Sequence, residues 1–140
     1  MVRHQTYQLI YIASLAALCC LGCGARNGDA SLKEFQRVKS GQLDIVLLSS
    51  HGAIQHGKDT FIIEFRSASA QPLDVGSVKV SASMPMPGMP MFGSIIVQPS
   101  GVPGRYTAIS DFGMAGTWRM TVEWNGPSGT GSAAFAGTVQ

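Results

Sequence analysis

Residues 118–124, Trp-Arg-Met-Thr-Val-Glu-Trp, place Trp118, Met120, Val122 and Trp124 on one parity and Arg119, Thr121 and Glu123 on the other. Side chains of a strand point alternately to its two faces, so this heptad predicts a strand with one apolar and one polar face. Its two tryptophans fall on the inward parity, which assigns them to core packing. Working outward in both directions, the same period recurs. Tyr106 and Ala108 alternate with Arg105 and Thr107, and Ala133, Phe135 and Gly137 suggest a last strand. Upstream, Leu43, Ile45 and Leu47 alternate with Asp44 and Val46, and Phe61, Ile63 and Phe65 with Glu64 and Arg66. Val78, Val80 and Ala82 alternate with Ser77, Lys79 and Ser81, while Ile95 and Val97 form a short strand.

Turn residues separate these runs: His51-Gly52, His56-Gly57-Lys58-Asp59, Gln71-Pro72, Pro99-Ser100-Gly101, Pro103-Gly104, Gly113 to Gly116 and Asn125-Gly126-Pro127. About seven strands at this spacing over residues 41–140 predict an all-β fold, an immunoglobulin-like antiparallel β-sandwich. Pro103-Gly104-Arg105-Tyr106-Thr107-Ala108 is similar to a tyrosine corner at the opening of a late strand; Tyr106 as a core aromatic with its hydroxyl at the rim is equally compatible with that fold.

Composition sets the limits on function. The chain has 140 residues, 45% hydrophobic and 13% charged, which is one domain's worth and too apolar for disorder. Seventeen glycines and seven prolines argue against a helical bundle. A net charge of +2, spread singly, offers neither nucleic acid nor an anionic membrane surface a footprint.

Residues 1–22 form a separate unit. Arg3 and His4 precede an apolar run from Leu9 to Gly22, the length of a signal-peptide h-region and shorter than the roughly 20 residues of a membrane span. The run ends in Cys20-Leu21-Gly22-Cys23, which resembles a bacterial lipobox, with Cys23 the lipidated residue and new N-terminus; Leu21 and Cys20 depart from that pattern's preferred residues. Cys20 and Cys23 also spell C-x-x-C, but they lie inside the targeting segment and no second C-x-x-C exists. Cleavage before Cys23 would leave no free thiol, and a chain of the remaining length folds without staples. Membrane attachment through the lipid is the expected anchor. Residues 23–40 read as a tether, in which Ser31 and Glu34 stand at capping-box spacing and Leu32, Phe35 and Val38 share one face of a short helix that would have to dock on the domain to form.

The most unusual stretch is Met84-Pro85-Met86-Pro87-Gly88-Met89-Pro90-Met91, with four of seven methionines in eight residues. Its prolines forbid a helix and a central strand, which predicts an extended loop or an edge. Residues two apart in such a chain lie about 6–7 Å apart, within reach of converging thioether arms. Thioether sulfur is a soft, uncharged ligand that selects Cu(I) or Ag(I), and it does not titrate. Met114, in Asp111-Phe112-Gly113-Met114-Ala115-Gly116, occupies a turn that could join the set, and His51 and His56 could add imidazole nitrogen, although nothing in the sequence places them there. Two other readings of the loop stand beside metal ligation. Burial of four methionines is worth about 6–12 kcal/mol, enough for a structural lid, and methionine also suits an adaptable contact with a partner protein.

No other segment carries chemistry. Gly126-Pro127-Ser128-Gly129-Thr130-Gly131 lacks the Gly-Lys-Ser/Thr of a phosphate-binding loop, and Gly129-x-Gly131-x-x-Ala134 leaves no room for a βαβ unit. No catalytic motif or carboxylate pair is present, so a non-enzymatic role is expected.

Taken in order, Met84-Pro-Met-Pro-Gly-Met89, Pro103-Gly-Arg-Tyr106 and Phe112-Gly-Met-Ala-Gly-Thr-Trp118 resemble the YtkA-like, or FixH-like, domain family over residues 41–140. The resemblance implies an Ig-like sandwich in an envelope protein, often a lipoprotein or a domain attached to a heavy-metal efflux adaptor; the FixH type is associated with a cation pump and oxidase assembly. By matching motif it points to Met84, Met86, Met89 and Met114. The cleavable-looking leader departs from the membrane-anchored type and favours the lipid-anchored branch. The expectation is a periplasmic or other extracytoplasmic lipoprotein, with the outer membrane the default because Gly24 follows Cys23. It would serve heavy-metal handling with Cu(I) or Ag(I), or dock on an efflux-pump or assembly complex.

Overall fold

The computed structural model describes residues 31–140, so the leader and Cys23 lie outside the described residues. It contains eight strands: β1 (Lys33–Ser40), β2 (Leu43–Ser49), β3 (Gly57–Ser67), β4 (Ser77–Met84), β5 (Met91–Pro99), β6 (Arg105–Phe112), β7 (Gly116–Gly126) and β8 (Gly129–Val139). All pairings between them are antiparallel, in the order β1-β2-β3-β6-β5-β4-β7-β8. The seven runs of alternating sequence are β2 to β8. Two expectations are corrected: there are eight strands, and they form one continuous sheet. That sheet curls until β1 approaches β8 within 8 Å between Cα atoms, a nearly closed barrel.

The additional strand is β1, in the segment expected to be a tether with a short helix. Phe35 and Val38 are three residues apart, a helical spacing, yet both pack on the core from a strand. A register shift between Glu34 and Gln36 inserts Phe35 as an extra residue opposite β2. Such a bulge resets the in–out alternation, so two residues of unlike parity face the same side. Phe35 then meets Phe61 edge to face, with ring centroids 6.2 Å apart.

Inward residues of every strand fill a single core, with Phe61, Phe65, Phe112 and Trp118 its largest fully buried members. Phe65 sits between Tyr106 and Trp124, each edge to face at 5.6 and 5.7 Å. Both tryptophans are buried, as their parity requires. The Tyr106 hydroxyl donates to the Gly76 carbonyl oxygen at 2.8 Å, 30 residues upstream on the β3–β4 connection, so it ties two distant segments together and is not the local tether of a tyrosine corner. Burial and the neighbouring Asp74 carboxylate push its phenol above the usual value.

Strand direction sorts the connections onto the two ends of the barrel. One end carries the β1–β2, β3–β4, β5–β6 and β7–β8 connections. The other carries the β2–β3 connection, the β4–β5 hairpin tip and the β6–β7 turn. The methionine segment belongs to the second end.

Candidate metal centre

The segment is neither an extended ribbon nor an edge. Met84 ends β4, Met91 opens β5, and residues 85–90 are a hairpin tip that reverses at Gly88, whose φ of 85° a side chain would strain. The prolines keep the tip out of the ladder, so β4 and β5 share only the pairs Ala82↔Gly93, Ser83↔Phe92 and Met84↔Met91. This short join links the two halves of the sheet. Reversal of the chain, and not close spacing along an extended one, brings Met84 opposite Met91.

The β6–β7 turn meets these two residues. A Cβ placed on Gly116 would fall 2.8 Å from Met84 Cε, and one on Gly113 would fall 3.5 Å from Met91 Cε. The thioether ends of Met84 and Met91 therefore lie against the two glycines that bracket Met114 and Ala115. Gly116 has a φ of 138°, so both its backbone and its missing side chain serve this approach. The turn is fixed from below, because Trp118 Nε1 donates to the Met114 carbonyl oxygen at 3.2 Å while its ring stacks edge to face on Phe112 at 4.9 Å.

The five methionines thus divide. Met84 and Met91 are half-buried, with their stems packed on the core; Met114 is 38% exposed beside them. Met86 and Met89 stand on the tip at 42% and 76% exposure, and Phe92, at 77%, follows them on the outer face of β5. The structure brings Met84, Met91 and Met114 to one turn and leaves Met86 and Met89 projecting above it.

Of the two histidines that the sequence offers without a position, His56 lies at this end of the barrel. The β3–β6 ladder ends at Gly57↔Phe112, so His56, the residue before β3, lies at the same end of the barrel as the β6–β7 turn, where its backbone N–H donates to the Gln140 carbonyl oxygen. His56 is exposed, and its Nδ1 lies 3.3 Å from the Gln140 carbonyl oxygen, which leaves Nε2 without a partner among the described residues. Only knowledge that β3 neighbours β6 would have revealed this. His51 lies in the same β2–β3 connection, exposed, with no register position that brings it to the turn.

The donor chemistry fits a soft monovalent cation. Among the described residues no group of three or more His, Cys, Asp or Glu side chains could hold a metal. The donors gathered at the turn are uncharged thioether sulfurs, the type that Cu(I) and Ag(I) prefer.

Comparison with known proteins follows from this geometry. The family model described as YtkA-like matches residues 37–123, from within β1 to near the end of β7. No curated protein sequence matches the chain. Similar solved structures include a copper-bound variant of FetP from uropathogenic Escherichia coli strain F11, 10% identical, with a TM-score of 0.47 over 76% of this chain and 97% of that one. FetP of the same strain in its as-isolated form is 9% identical, with a TM-score of 0.44 over 76% and 95% of the respective chains.

Proposed function

Because the chain belongs to the YtkA-like family, we propose that it is a non-enzymatic envelope lipoprotein, anchored through Cys23, that handles Cu(I) or Ag(I) at the methionine-bearing end of its barrel. The carrying observation is the approach of the Met84 and Met91 thioethers to the turn that presents Met114. These three sulfurs form the candidate seat, His56 Nε2, at the same end of the barrel, is a nitrogen that could complete it, and Met86 and Met89 on the tip would meet an incoming ion first. Thioether donors carry no proton at any physiological pH, so sulfur ligation persists in an acidic compartment where thiols and imidazoles are lost. Half-burial of Met84 and Met91 lowers the dielectric around a bound cation while Met114 keeps a path to solvent. An extracytoplasmic location, with the outer membrane as default, and association with a heavy-metal efflux or assembly complex complete the reading.

A second reading has its own support. Among the described residues Phe92 and Met89 are the two most exposed large apolar ones, and they lie on the same hairpin, as a contact surface for a partner protein would. Replacing Met84, Met91 and Met114 together by Leu separates the two. Leucine preserves most of the burial and removes every sulfur from the seat. The metal reading expects Ag(I) affinity, followed by titration under anaerobic conditions, to fall about 100-fold or more, with thermal stability nearly unchanged. Unchanged Ag(I) affinity in that variant, or no binding by the unsubstituted protein at micromolar concentrations, overturns it in favour of the contact surface.

A further inference from the structure

The opposite end of the barrel carries a cavity that metal handling leaves without a role. β1 and β8 are the terminal strands of the sheet and do not pair, and their seam opens at this end into a cavity of about 660 Å3. That volume lies within the range of small-molecule sites. Its depth is apolar, formed by Leu43, Leu73, Val75 and the edge of Trp124, and its rim is hydroxyl-rich, with Ser40 and Ser67 at strand ends, Ser69 and Ser128 in two connections, and Thr130. None of the lining residues is charged.

Three of the lining polar groups have no protein partner. Ser40 Oγ, the Gln42 side-chain amide and Trp124 Nε1 make no hydrogen bond among the described residues. Trp124 is only 8% exposed, yet its Nε1 is not among buried polar atoms lacking a partner, so the N–H remains open to the cavity side. Other hydroxyls of the rim are oriented by the fold: Ser128 Oγ donates to the Asp74 carbonyl at 2.8 Å, and Thr130 Oγ1 donates to Asn125 Oδ1 at 2.9 Å. Gly131 makes this arrangement possible, because a Cβ there would fall within 2.7 Å of Trp124 Cε2 and drive the indole away.

We infer that this cavity is a binding site for a neutral sugar. A charge-free lining disfavours phosphate, carboxylate and amine ligands, whose desolvation it cannot offset. Hydroxyls and an amide both donate and accept, which suits a ligand whose neighbouring groups do the same; the free indole N–H adds a fixed donor. The apolar floor suits the C–H face of a pyranose ring. An added peptide strand fits less well, since β1 already approaches the unpaired edge of β8 within 8 Å and leaves little room for a strand between them.

The full-length chain, labelled with 15N and held in a detergent without a sugar headgroup, has two indole N–H signals, one per tryptophan. That of Trp118 is held on the Met114 carbonyl at the far end and serves as an internal control. The inference predicts that maltose, cellobiose or N,N′-diacetylchitobiose moves the Trp124 signal saturably while the Trp118 signal stays. The paired substitution Ser40→Ala with Gln42→Ala should weaken the response about tenfold, as loss of two hydrogen bonds would. No saturable movement with any of the three sugars overturns the inference. So does a response to uncharged tetra-alanine with none to sugar, which would assign the cavity to a peptide. Because the two ends share no residue, Ag(I) binding is expected to be indifferent to every sugar tested.

Discussion

The cavity end of the barrel and the β4–β5 methionine tip are built by opposite means. At the cavity end, connections are fastened to one another. The Tyr106 hydroxyl and Ser128 both reach the β3–β4 connection, and backbone bonds link Phe65 N to the Gly104 carbonyl and Leu73 N to the Phe65 carbonyl. Glu64, nearly fully buried, receives Arg66 and Arg105 there; the Arg105 Nη2–Glu64 Oε2 contact is 2.7 Å. Burial pushes the Glu64 carboxyl up, but the two guanidiniums outweigh it and hold the group below its usual range. At the methionine end, no hydrogen bond among the described residues involves residues 85–90 outside the strand ladder, and the adjoining turn rests on the single indole bond to Met114. An end held by polar bonds is committed to one arrangement. A tip held by flexible thioethers and prolines can rearrange around a ligand at little cost, even though the β2–β3 connection at the same end is fastened by its own bonds, among them Ser49 to Ala53 and His56 N to the Gln140 carbonyl.

The largest expected effect probes the indole bond that braces the β6–β7 turn beside the methionines. Trp118→Ala should lower stability by about 3–5 kcal/mol in denaturant unfolding, because it empties a fully buried site and frees the β6–β7 turn. Trp118→Phe should cost less and still weaken Ag(I) binding, since the ring volume is kept and the bond to Met114 is lost. Ag(I) binding unaffected by the loss of this bond would mean that the turn needs no brace.

Next comes the ion cluster of the cavity end. Glu64→Gln should cost about 2 kcal/mol at neutral pH, below the 3–5 of a fully buried pair because both arginines retain part of their surface in water. The folded-state value of Glu64 is depressed, so its contribution is present above the ordinary 4.5 and is lost as pH falls through the folded value. The stabilities of the two proteins should therefore converge on acidification. A gap that stays constant down to pH 2 would contradict this.

The smallest effects separate the halves of the methionine set. Met84→Ala and Met91→Ala should each cost about 1–2 kcal/mol, the share of a half-buried side chain, whereas Met86→Ala and Met89→Ala should stay within about 0.5 kcal/mol. Equal costs across the four would erase the distinction between seat and tip.

Period-two alternation carried the strands β2 to β8, because each has one face on a shared core. β1 was hidden by its own bulge: an extra residue at Phe35 turns strand alternation into an apparent helical spacing. The methionine cluster announced itself through composition, and its prolines excluded it from the ladder. The reversal that sets Met84 opposite Met91 depends on the φ of one glycine and on pairing with a neighbouring strand. The place of His56 depends on β3 lying beside β6, which follows a crossover in strand order. Local pattern carries no record of such neighbours, and for the same reason the seam between β1 and β8, with its cavity, had no signature in the chain.

The most direct measurement is a titration of the protein carrying 13C-labelled methionine methyl groups with Ag(I). Met120 is fully buried beneath Gly137 and provides the unresponsive reference. The methyl signals of Met84, Met91 and Met114 are predicted to move together and to saturate at about one ion per chain, with those of Met86 and Met89 responding less. Movement of Met86 and Met89 alone, without saturation, or no movement of any of the five, would contradict a thioether seat at this end of the barrel.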